Sequence, residues 1–449
     1  MKTFDRVVVG GGLSGLLAAW RAANRGETVA VLEGGASLGG LIESRALGGH
    51  SFDIGAESFS VAGESALSLV RELGLETSVV WPAKADPQII FEQGEHYSIP
   101  KGILGIPEDL SDPLLAEIFS EDELAEARRL DALEPIDYSG FTIAQLVDQR
   151  LGRAFAQRLV DPTVSGVHGT SAKVLDAKTT MPKVVELLET AGSLSEAVRL
   201  VRGKAKSPGS AVASLSGGMR TLIDSLTSRL AGSGVSVFGN SAVSVITRRA
   251  GNWVVETTSG EFQASAVSLA IGADQLKELL ERSGFELPEQ FAQLATDTMV
   301  ALALVRSASL NDYPLGSGAL VSANAGITAK ASTHVNAKWQ WVQDSLGENQ
   351  HVIRLSFGRD GVFPQAIDEQ FIAEQIRQIY SVNDVEVEEF ELKEWKSSLF
   401  RSSASSLAMV EAFRQIANST GLEIVGSFAS GNGILGITKD HYERTKVDN

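Results

Sequence analysis

Cysteine is absent from the 449 residues of this chain. The absence excludes disulfides, thiolate metal sites, iron–sulfur clusters, cysteine nucleophiles and cofactors linked through a thioether. Long apolar runs are absent too: no stretch of about 18 apolar residues occurs, so we expect no membrane-spanning helix and leave only peripheral membrane contact open. Together these absences favour a cytoplasmic protein.

Positive charge is scarce as well. Lys and Arg total 39 against 56 Asp and Glu, which gives a formal net charge of −17. Nucleic acids and anionic membrane surfaces bind through cations that neutralise phosphates, so neither is expected as a general partner. A local basic pocket for an acidic small molecule remains compatible with this charge. The six histidines form no H-x-H or H-x-x-x-H pair, and we expect no metal site.

The clearest motif lies near the start of the chain. Gly10, Gly12 and Gly15 fit G-x-G-x-x-G between an apolar run typical of a buried strand and a segment with helical periodicity. The first glycine permits a tight turn, the second lets backbone approach a pyrophosphate, and the third lets the helix pack closely on the strand. The next apolar run ends at Glu33, where a carboxylate accepts the hydroxyl groups of an adenosine ribose. These features predict a Rossmann-like dinucleotide-binding unit.

A competing motif follows Glu33. Gly35, Ser37 and Gly39 satisfy G-x-S-x-G, the nucleophile elbow of hydrolases. That elbow requires a helix directly after the serine, whereas two glycines and an alternating segment follow here. We therefore interpret the stretch as a glycine-rich loop of the nucleotide site and not as a hydrolase centre.

Several further segments occur in an order that resembles one enzyme family. They are the glycine pair at 39–40, GAESF at 55–59, the stretch 158–194, SLSGGMRTLIDSL at 214–226, the expected strand segments 316–322, 329–339 and 353–359, and VGSFASGNGILGI at 425–437. The pattern is similar to that of the FAD-dependent protoporphyrinogen and coproporphyrinogen oxidases, within the flavin amine oxidase superfamily.

The sequence departs from the family pattern at a few positions. Leu41 stands where many members have Arg after the glycine pair, and residues 168–170 read His-Gly-Thr where Tyr-Ala-Gly is more usual. Glu394 and Lys396 flank Trp395 in place of the usual Arg and Pro. These departures affect the expectation of one contact to a cofactor phosphate and of the substrate contacts. They affect the expectation that FAD is the cofactor less.

The resemblance implies an α/β fold with a Rossmann-like FAD-binding domain that is discontinuous in sequence, a mixed α+β substrate domain and a helical subdomain. The implied bounds are 1–88, 206–280 and 395–449 for the FAD-binding domain, 89–108 and 281–394 for the substrate domain, and 109–205 for the helical subdomain. FAD would be bound noncovalently. The residues expected to bind it are Gly10, Gly12, Leu13, Ser14, Gly15, Glu33, Gly39, Gly40, Leu41, Gly55, Ala56, Glu57, Ser58, Val243, Gly426, Gly433 and Ile434.

The resemblance also implies a reaction. A porphyrinogen, either coproporphyrinogen III or protoporphyrinogen IX, would be oxidised stepwise to the porphyrin in haem biosynthesis, with molecular oxygen as the acceptor. The propionates of such a substrate need cations, for which Lys101, Arg401 and Lys338 are candidates. Lys338 is also the candidate catalytic residue, because in flavin amine oxidases a lysine commonly approaches flavin N5 through a water. The alternative for Lys338, which falls in an expected strand, is an exposed position at the strand end.

Two other functions stay open from the sequence. One is another enzyme of the superfamily, an amine oxidase or a carotenoid desaturase, and an aromatic pair facing the flavin would favour the amine oxidase. The other is a noncatalytic FAD-binding partner protein, which the departures around Trp395 keep open.

Overall fold

The structure is a computed structural model that describes residues 1–83, 87–90, 94–203, 212–287, 294–359, 361–401 and 403–448. In chain order, its strands are β1 (Lys2–Val9), β2 (Val29–Leu32), β3 (Ser44–Leu47), β4 (His50–Asp53), β5 (Phe59–Ser60), β6 (Val79–Val80), β7 (Gln88–Ile90), β8 (His96–Ser98), β9 (Gly102–Ile103), β10 (Ile106–Pro107), β11 (Val212–Leu215), β12 (Val235–Phe238), β13 (Val243–Arg249), β14 (Asn252–Thr257), β15 (Gly260–Leu269), β16 (Ala295–Arg306), β17 (Gly318–Val321), β18 (Ala331–His334), β19 (Gln350–Phe357), β20 (Glu386–Phe400) and β21 (Glu423–Ile424).

The helices follow the same numbering along the chain. They are α1 (Leu13–Asn24), α2 (Glu64–Glu72), α3 (Leu115–Ile118), α4 (Glu121–Asp131), α5 (Ile143–Leu151), α6 (Arg153–Phe155), α7 (Asp161–His168), α8 (Ala177–Thr180), α9 (Pro182–Ala191), α10 (Leu194–Arg202), α11 (Arg220–Ala231), α12 (Ala273–Arg282), α13 (Val335–Lys338), α14 (Gln340–Gln343), α15 (Glu369–Tyr380), α16 (Ala404–Thr420), α17 (Ser427–Ser430) and α18 (Ile434–Asp448).

The first sheet is built around β1. Its strands lie in the order β12–β2–β1–β15–β14–β13, and β21 also pairs with β15. Strands β12, β2, β1, β15 and β21 are parallel, whereas β13, β14 and β15 form an antiparallel meander. All residues of β2 are buried, as expected for a parallel strand that is covered on both faces. The predicted α/β class with a Rossmann-like unit is confirmed.

The second sheet has the order β20–β16–β19–β18–β17–β7–β8. On one face, Ile353 and Leu355 of β19 pack against Ile372 and Ile376 of α15. On the other face, a separate cluster joins this sheet to the β3–β4 hairpin, a two-stranded sheet of its own, and to the region of α13. We call the first sheet with this hairpin the first layer, and the second sheet with α13 the second layer. This second face, which we call the inner face, is therefore turned toward the first layer.

Helices α3 to α10 form a cluster with its own apolar core. At its centre, the rings of Phe119 and Phe155 stack with centroids 4.0 Å apart. Ser120 caps α4 in a capping box with Glu123, so a polar serine followed by an acid three residues later fixes where this helix begins.

The division of the chain into three domains stays a prediction. Two of its boundaries fall inside strands of the second sheet, since 88/89 divides β7 and 394/395 divides β20. Within the described residues, no helix combines the length and the apolar composition that crossing a bilayer requires.

Two buried histidines meet in the core of the second sheet. His334 Nε2 lies 3.0 Å from His351 Nδ1, and His351 Nε2 lies 3.0 Å from the Ser307 carbonyl oxygen. The carbonyl can only accept, so His351 donates to it and in turn accepts from His334, which leaves His334 Nδ1 buried without a partner. Burial, followed by the neighbouring charge of His351, lowers the pKa of His334 to about 3.

This pair predicts a pH-dependent stability. The unfolded chain protonates position 334 below about pH 6.5, whereas the folded protein excludes that proton down to about pH 3. Stability is therefore complete above that range and falls as the pH decreases through it, by up to about 1.4 kcal/mol per pH unit. We expect His334→Gln, which keeps a donor for His351, to remove this part of the slope in denaturant unfolding between about pH 5 and pH 8. Equal slopes for the variant and the parent would contradict the prediction.

Candidate functional site

A tight turn joins β1 to α1 at the carboxyl edge of the first sheet. Gly10 has φ +102°, and a Cβ there would lie 2.5 Å from the Ala270 carbonyl oxygen. A Cβ at Gly15 would lie only 2.0 Å from the Gly10 carbonyl oxygen. Both distances are far below van der Waals contact, so α1 reaches the end of β1 only because these two positions lack side chains.

Gly12 has a different surrounding. Its φ is −73°, which any residue adopts, and a Cβ there would meet nothing closer than the Gly40 Cα at 3.8 Å. Gly39 faces the same turn, because its amide donates to the Gly11 carbonyl oxygen at 2.9 Å, and both Gly39 and Gly40 have positive φ. We call Gly12, Gly39 and Gly40 the glycine cradle.

The N-terminus of α1 opens into this cradle. Gly12 is its N-cap residue, so no side chain satisfies the first amides, at Leu13 and Ser14, and no acidic residue lies in the first turn. Unsatisfied amides and the positive end of the helix dipole together favour an anionic ligand. Because Gly12 has no side chain, the space beside it stays open, and this space fits a pyrophosphate.

Glu33 lies at the end of β2, beside the turn. Its carboxylate accepts from the amides of Gly11 at 2.8 Å and Gly35 at 2.7 Å. Each oxygen of an ionised carboxylate has capacity for a further donor, which fits the ribose role. The Ser241 amide donates to the Glu33 carbonyl oxygen at 2.8 Å, so the segment that leads into β13 at Val243 lies beside Glu33 in space.

A cation near the glycine cradle was missed in the sequence. Leu41, at the position where the family usually has Arg, is 38% exposed. Arg220 at the start of α11 instead donates through Nη1 to the Leu38 carbonyl oxygen at 2.7 Å. The same nitrogen lies 3.4 Å from where a Cβ of Gly39 would be. Only the fold shows that α11 reaches the glycine pair, because 180 residues of sequence separate them.

The C-terminal glycine loop meets the same edge. Gly426 follows β21 with φ +145°, and both it and Gly10 adjoin Ile271. Gly433 precedes α18, whose first residue, Ile434, has its side chain buried in the core shared with α1, so only its backbone is available to a ligand. The ends of β1, β15 and β21 therefore converge where α1 and α18 begin, which is the usual ligand position in such sheets.

Asn432 ties this loop to the second sheet. Its side-chain amide donates to the Phe400 carbonyl oxygen at 2.8 Å, and its oxygen accepts from the Phe400 amide at 3.1 Å. Phe400 is the last residue of β20. This pair of hydrogen bonds continues the strand through a side chain and fixes the loop relative to the second sheet.

The GAESF segment runs against the glycine pair. A Cβ at Gly55 would lie 2.1 Å from the Leu41 carbonyl oxygen, and the Ala56 amide donates to that oxygen at 2.8 Å. Ser214 of β11 donates to the Glu57 carbonyl oxygen at 2.8 Å, and Ser58 is partly buried beside it. The GAESF segment thus leads into the separate β5–β11–β6 sheet and adjoins the glycine pair through Leu41. The contacts of the expected cofactor residues with a ligand stay predictions.

Lys338 does not lie where the sequence predicted. The expected strand is wrong: residues Val335–Lys338 form the short helix α13, and the side chain of Lys338 is only 16% exposed. Its Nζ lies 2.5 Å from Oε1 of Glu57, so the lysine forms an ion pair across the two layers and does not point into solvent. A catalytic role for Lys338 stays a prediction.

Glu57 of this ion pair and the nearby Asp53 both have shifted pKa values. Burial would raise the pKa of Glu57, but the charges of Lys338 and Arg354 and the hydrogen bond from Lys338 outweigh it, so its pKa lies below the ordinary value. Burial raises the pKa of Asp53 to about 6, against hydrogen bonds from the Met219 amide and Ser44. The structure therefore brings together four ionisable groups: Asp53 on β4, Glu57 in the GAESF segment, Lys338 on α13 and Arg354 on β19.

The other two candidate cations lie apart from this group. Lys101 is exposed next to β9, and Arg401 donates through Nε to the Thr296 hydroxyl at 2.9 Å after the end of β20. Neither makes a recorded contact with Lys338 within the described residues. Their assignment to substrate binding stays a prediction.

The competing hydrolase motif has no helix to support it. Ser37 is exposed in a loop, and the next helix, α2, begins only at Glu64. A nucleophile elbow places its serine between a strand and a helix that follows at once. The interpretation of this stretch as part of a nucleotide site agrees with that geometry.

The sequence matches the family described as flavin containing amine oxidoreductase over residues 13–305. That span is more than half of the chain and includes Gly39 and Gly40 of the glycine cradle and the GAESF segment, whereas Gly12 directly precedes it. The chain belongs to this family and is a flavin-dependent oxidoreductase. The resemblance found in the sequence is confirmed.

More particular relatives follow. The coproporphyrinogen III oxidase of Mycobacterium leprae (strain TN) is 30% identical over 97% of this chain and 96% of its own length. The coproporphyrinogen III oxidase of Bacillus subtilis (strain 168) is 23% identical over 79% of this chain and 77% of its own length. A solved structure from Exiguobacterium sp. 255-15, provisionally assigned as a protoporphyrinogen oxidase, has a TM-score of 0.84 at 23% identity and covers 100% of this chain and 98% of its own.

The cradle predicts that two glycine substitutions fail in different ways. Gly12→Ala has room in the free protein, so the apoprotein should melt as the parent does while flavin affinity falls by more than about tenfold, or 1.4 kcal/mol. Gly15→Ala collides with backbone and should destabilise the apoprotein itself by about 1–3 kcal/mol. Thermal melting of the apoproteins and titration with flavin separate the two effects. A Gly12→Ala protein that retains parental flavin affinity would place the site elsewhere.

Proposed function

We propose that the protein is an FAD-dependent oxidase that converts a porphyrinogen, coproporphyrinogen III or protoporphyrinogen IX, to the porphyrin with molecular oxygen as the acceptor. The observation that carries the proposal is the similarity to the Mycobacterium leprae coproporphyrinogen III oxidase over 97% of this chain. Such coverage includes the substrate-side sheet and the helical cluster as well as the nucleotide-binding part, so the similarity is not limited to a shared cofactor motif.

FAD fits the edge of the first sheet. The glycine cradle and the N-terminus of α1 would hold the pyrophosphate, and Glu33 would hold the adenosine ribose. Binding is noncovalent in this proposal, because the chain has no cysteine for a thioether link. Once bound, FAD would supply the two-electron redox chemistry that amino acid side chains lack.

The N-terminus of α18 adds a further contribution from the chain itself. Gly433 leads into this helix, and no acidic residue lies in its first turn. The positive end of the helix dipole would stabilise negative charge that develops on a cofactor ring beside the C-terminal glycine loop, by about 0.3–1 kcal/mol or more where partly buried. This contribution needs no titratable side chain.

The substrate would lie against the inner face of the second sheet, beside the contact of this face with α7. The contact between these elements is close: a Cβ at Gly166 would lie 2.4 Å from Cδ2 of Leu320, and one at Gly169 would lie 2.8 Å from Cδ1 of Leu399. Side chains of the helical cluster and of the sheet therefore exclude water at this junction. Lys338, held by Glu57, would provide a cation for a substrate carboxylate or for oxygen activation.

The proposal predicts that the purified protein contains FAD and forms porphyrin in air. Incubation with coproporphyrinogen III and, separately, with protoporphyrinogen IX should give porphyrin fluorescence with at least one of them, and Gly12→Ala should give none above the uncatalysed rate. Acid should release FAD and not FMN. Porphyrin formation at the uncatalysed rate with both substrates, by a protein that carries FAD, would refute the proposed reaction.

Lys338→Met separates the two possible roles of that lysine. Loss of a substrate contact made equally in the ground and transition states raises KM and leaves kcat unchanged. Loss of a charge that assists oxygen slows reoxidation of the reduced enzyme and spares the reductive half-reaction. Lys277→Met is the matched control, because Lys277 forms an ion pair with Glu281 on the surface of α12. Parental values in both half-reactions for Lys338→Met would exclude Lys338 from the site.

A further inference from the structure

Strand β19 contains an arginine at an unusual position. The strand lies between β16 and β18, inside a sheet that packs on both faces. From residue 351 to residue 357 its side chains are buried, except that Arg354 and Ser356 are partly accessible. Two accessible positions two residues apart lie on the same face of a strand. They mark an opening in a face that is otherwise covered.

The register of the sheet shows which face this is. Arg354 lies opposite Leu302 of β16 and opposite Thr333 of β18. Directly opposed residues share a face, and Leu302 packs in the cluster with Phe52 and Trp339. Arg354 is therefore on the inner face, the side on which Glu57 and Lys338 join the two layers.

Among the described residues, Arg354 has no acceptor for its hydrogen-bond donors. Its Nε is buried without a partner, and within the part of the chain that the structure describes no hydrogen bond or ion pair is recorded for its guanidinium group. Its charge nevertheless lowers the pKa of Glu57 and opposes the rise in the pKa of Asp53, so it lies in their vicinity. Glu57 is already bonded to Lys338, which leaves the arginine uncompensated by direct contact.

A guanidinium group cannot avoid this situation by losing its proton. Arginine stays charged in proteins and presents five N–H donors in a planar fork. A buried donor without a partner destabilises the fold, and more so when it is charged. A native structure retains such a group where a ligand supplies the acceptor, and the ligand that matches a planar fork is a carboxylate or a phosphate.

We propose that Arg354 binds a carboxylate of the substrate. This proposal rests on the proposed function, under which the carboxylate is a propionate of the porphyrinogen. The glycine cradle and α1 account for the phosphates of the cofactor, so the anion left for Arg354 is the one on the substrate. Arg354 is thereby distinct from Lys101, Arg401 and Lys338, and the inner face of the second sheet becomes the surface that orients the macrocycle.

The test uses the flavin-loaded protein and a pair of probes that differ only in charge. Coproporphyrin III and its tetramethyl ester are each titrated, in the same detergent, against the parent, Arg354→Met and Arg354→Lys, with porphyrin fluorescence as the signal. We expect Arg354→Met to lower the affinity for coproporphyrin III about 10- to 100-fold, since a hydrogen bond to a charged group is lost, and to leave the affinity for the ester unchanged. The affinity of Arg354→Lys for coproporphyrin III should lie between those of the parent and of Arg354→Met, because lysine keeps the charge but not the planar fork of donors.

The matched control is Arg306→Met. Arg306 is an exposed arginine of the same sheet, paired with Glu388 on its rim, and its replacement should leave both affinities at the parental value. The flavin absorption spectrum and the melting temperature are recorded for every variant, so loss of folding is seen independently. Steady-state kinetics should show KM raised in Arg354→Met with kcat largely retained.

Each outcome decides the question. Equal affinity of the parent and Arg354→Met for coproporphyrin III overturns the inference while leaving porphyrinogen oxidation intact. An equal loss of affinity for the acid and the ester also overturns the inference, because the substitution would then have changed the shape of the binding site and not the recognition of a carboxylate. Loss of flavin from Arg354→Met, with porphyrin affinity retained, assigns the arginine to the cofactor instead. A parent protein that neither binds the porphyrin nor oxidises a porphyrinogen overturns the proposed function itself.

Discussion

The close approach of α1 to the end of β1 is the constraint on which the rest of the site depends. It requires glycine at positions 10 and 15, where any side chain would meet backbone oxygen at 2.5 Å or less. Because the helix begins so near the strand, its unsatisfied amides open directly into the glycine cradle. The loop at 39–40 and the C-terminal loop then close around a position that this single contact defines.

The second constraint is electrostatic and joins the two layers. Lys338 reaches from the second layer to Glu57, and Lys393 of β20 pairs with Glu43 at 3.0 Å. Ion pairs that are mostly buried add little net stability but are costly to break singly, so they fix relative position more than they increase the free energy of unfolding. In this protein they set the inner face of the second sheet against the cofactor edge, and Asn432 secures the same arrangement through the backbone of β20.

The buried polar groups divide into two kinds. His334 and His351 satisfy most of their bonds within the core and serve the fold. Asp53, Glu57, Lys338 and Arg354 instead gather where the layers meet, and the Oε2 of Glu57 and the Nε of Arg354 have no partner among the described residues. An incompletely satisfied network of charges is costly in a structural core, whereas it is expected at a surface that binds an ionic ligand.

The sequence alone determined the nucleotide-binding unit, because its signals are local: the glycines, the apolar runs and Glu33 all lie between residues 7 and 33 and specify one strand–turn–helix–strand unit. It also identified the family, through motifs that keep their order along the chain. Tertiary structure decided what depends on contacts between distant segments. Lys338 falls in a helix that packs against β19 and not in a strand, and its partner Glu57 is 281 residues away. Arg354 looks like any residue of an apolar strand until the register of the sheet assigns it to the inner face, since the face of a strand residue is defined only by the neighbours it pairs with.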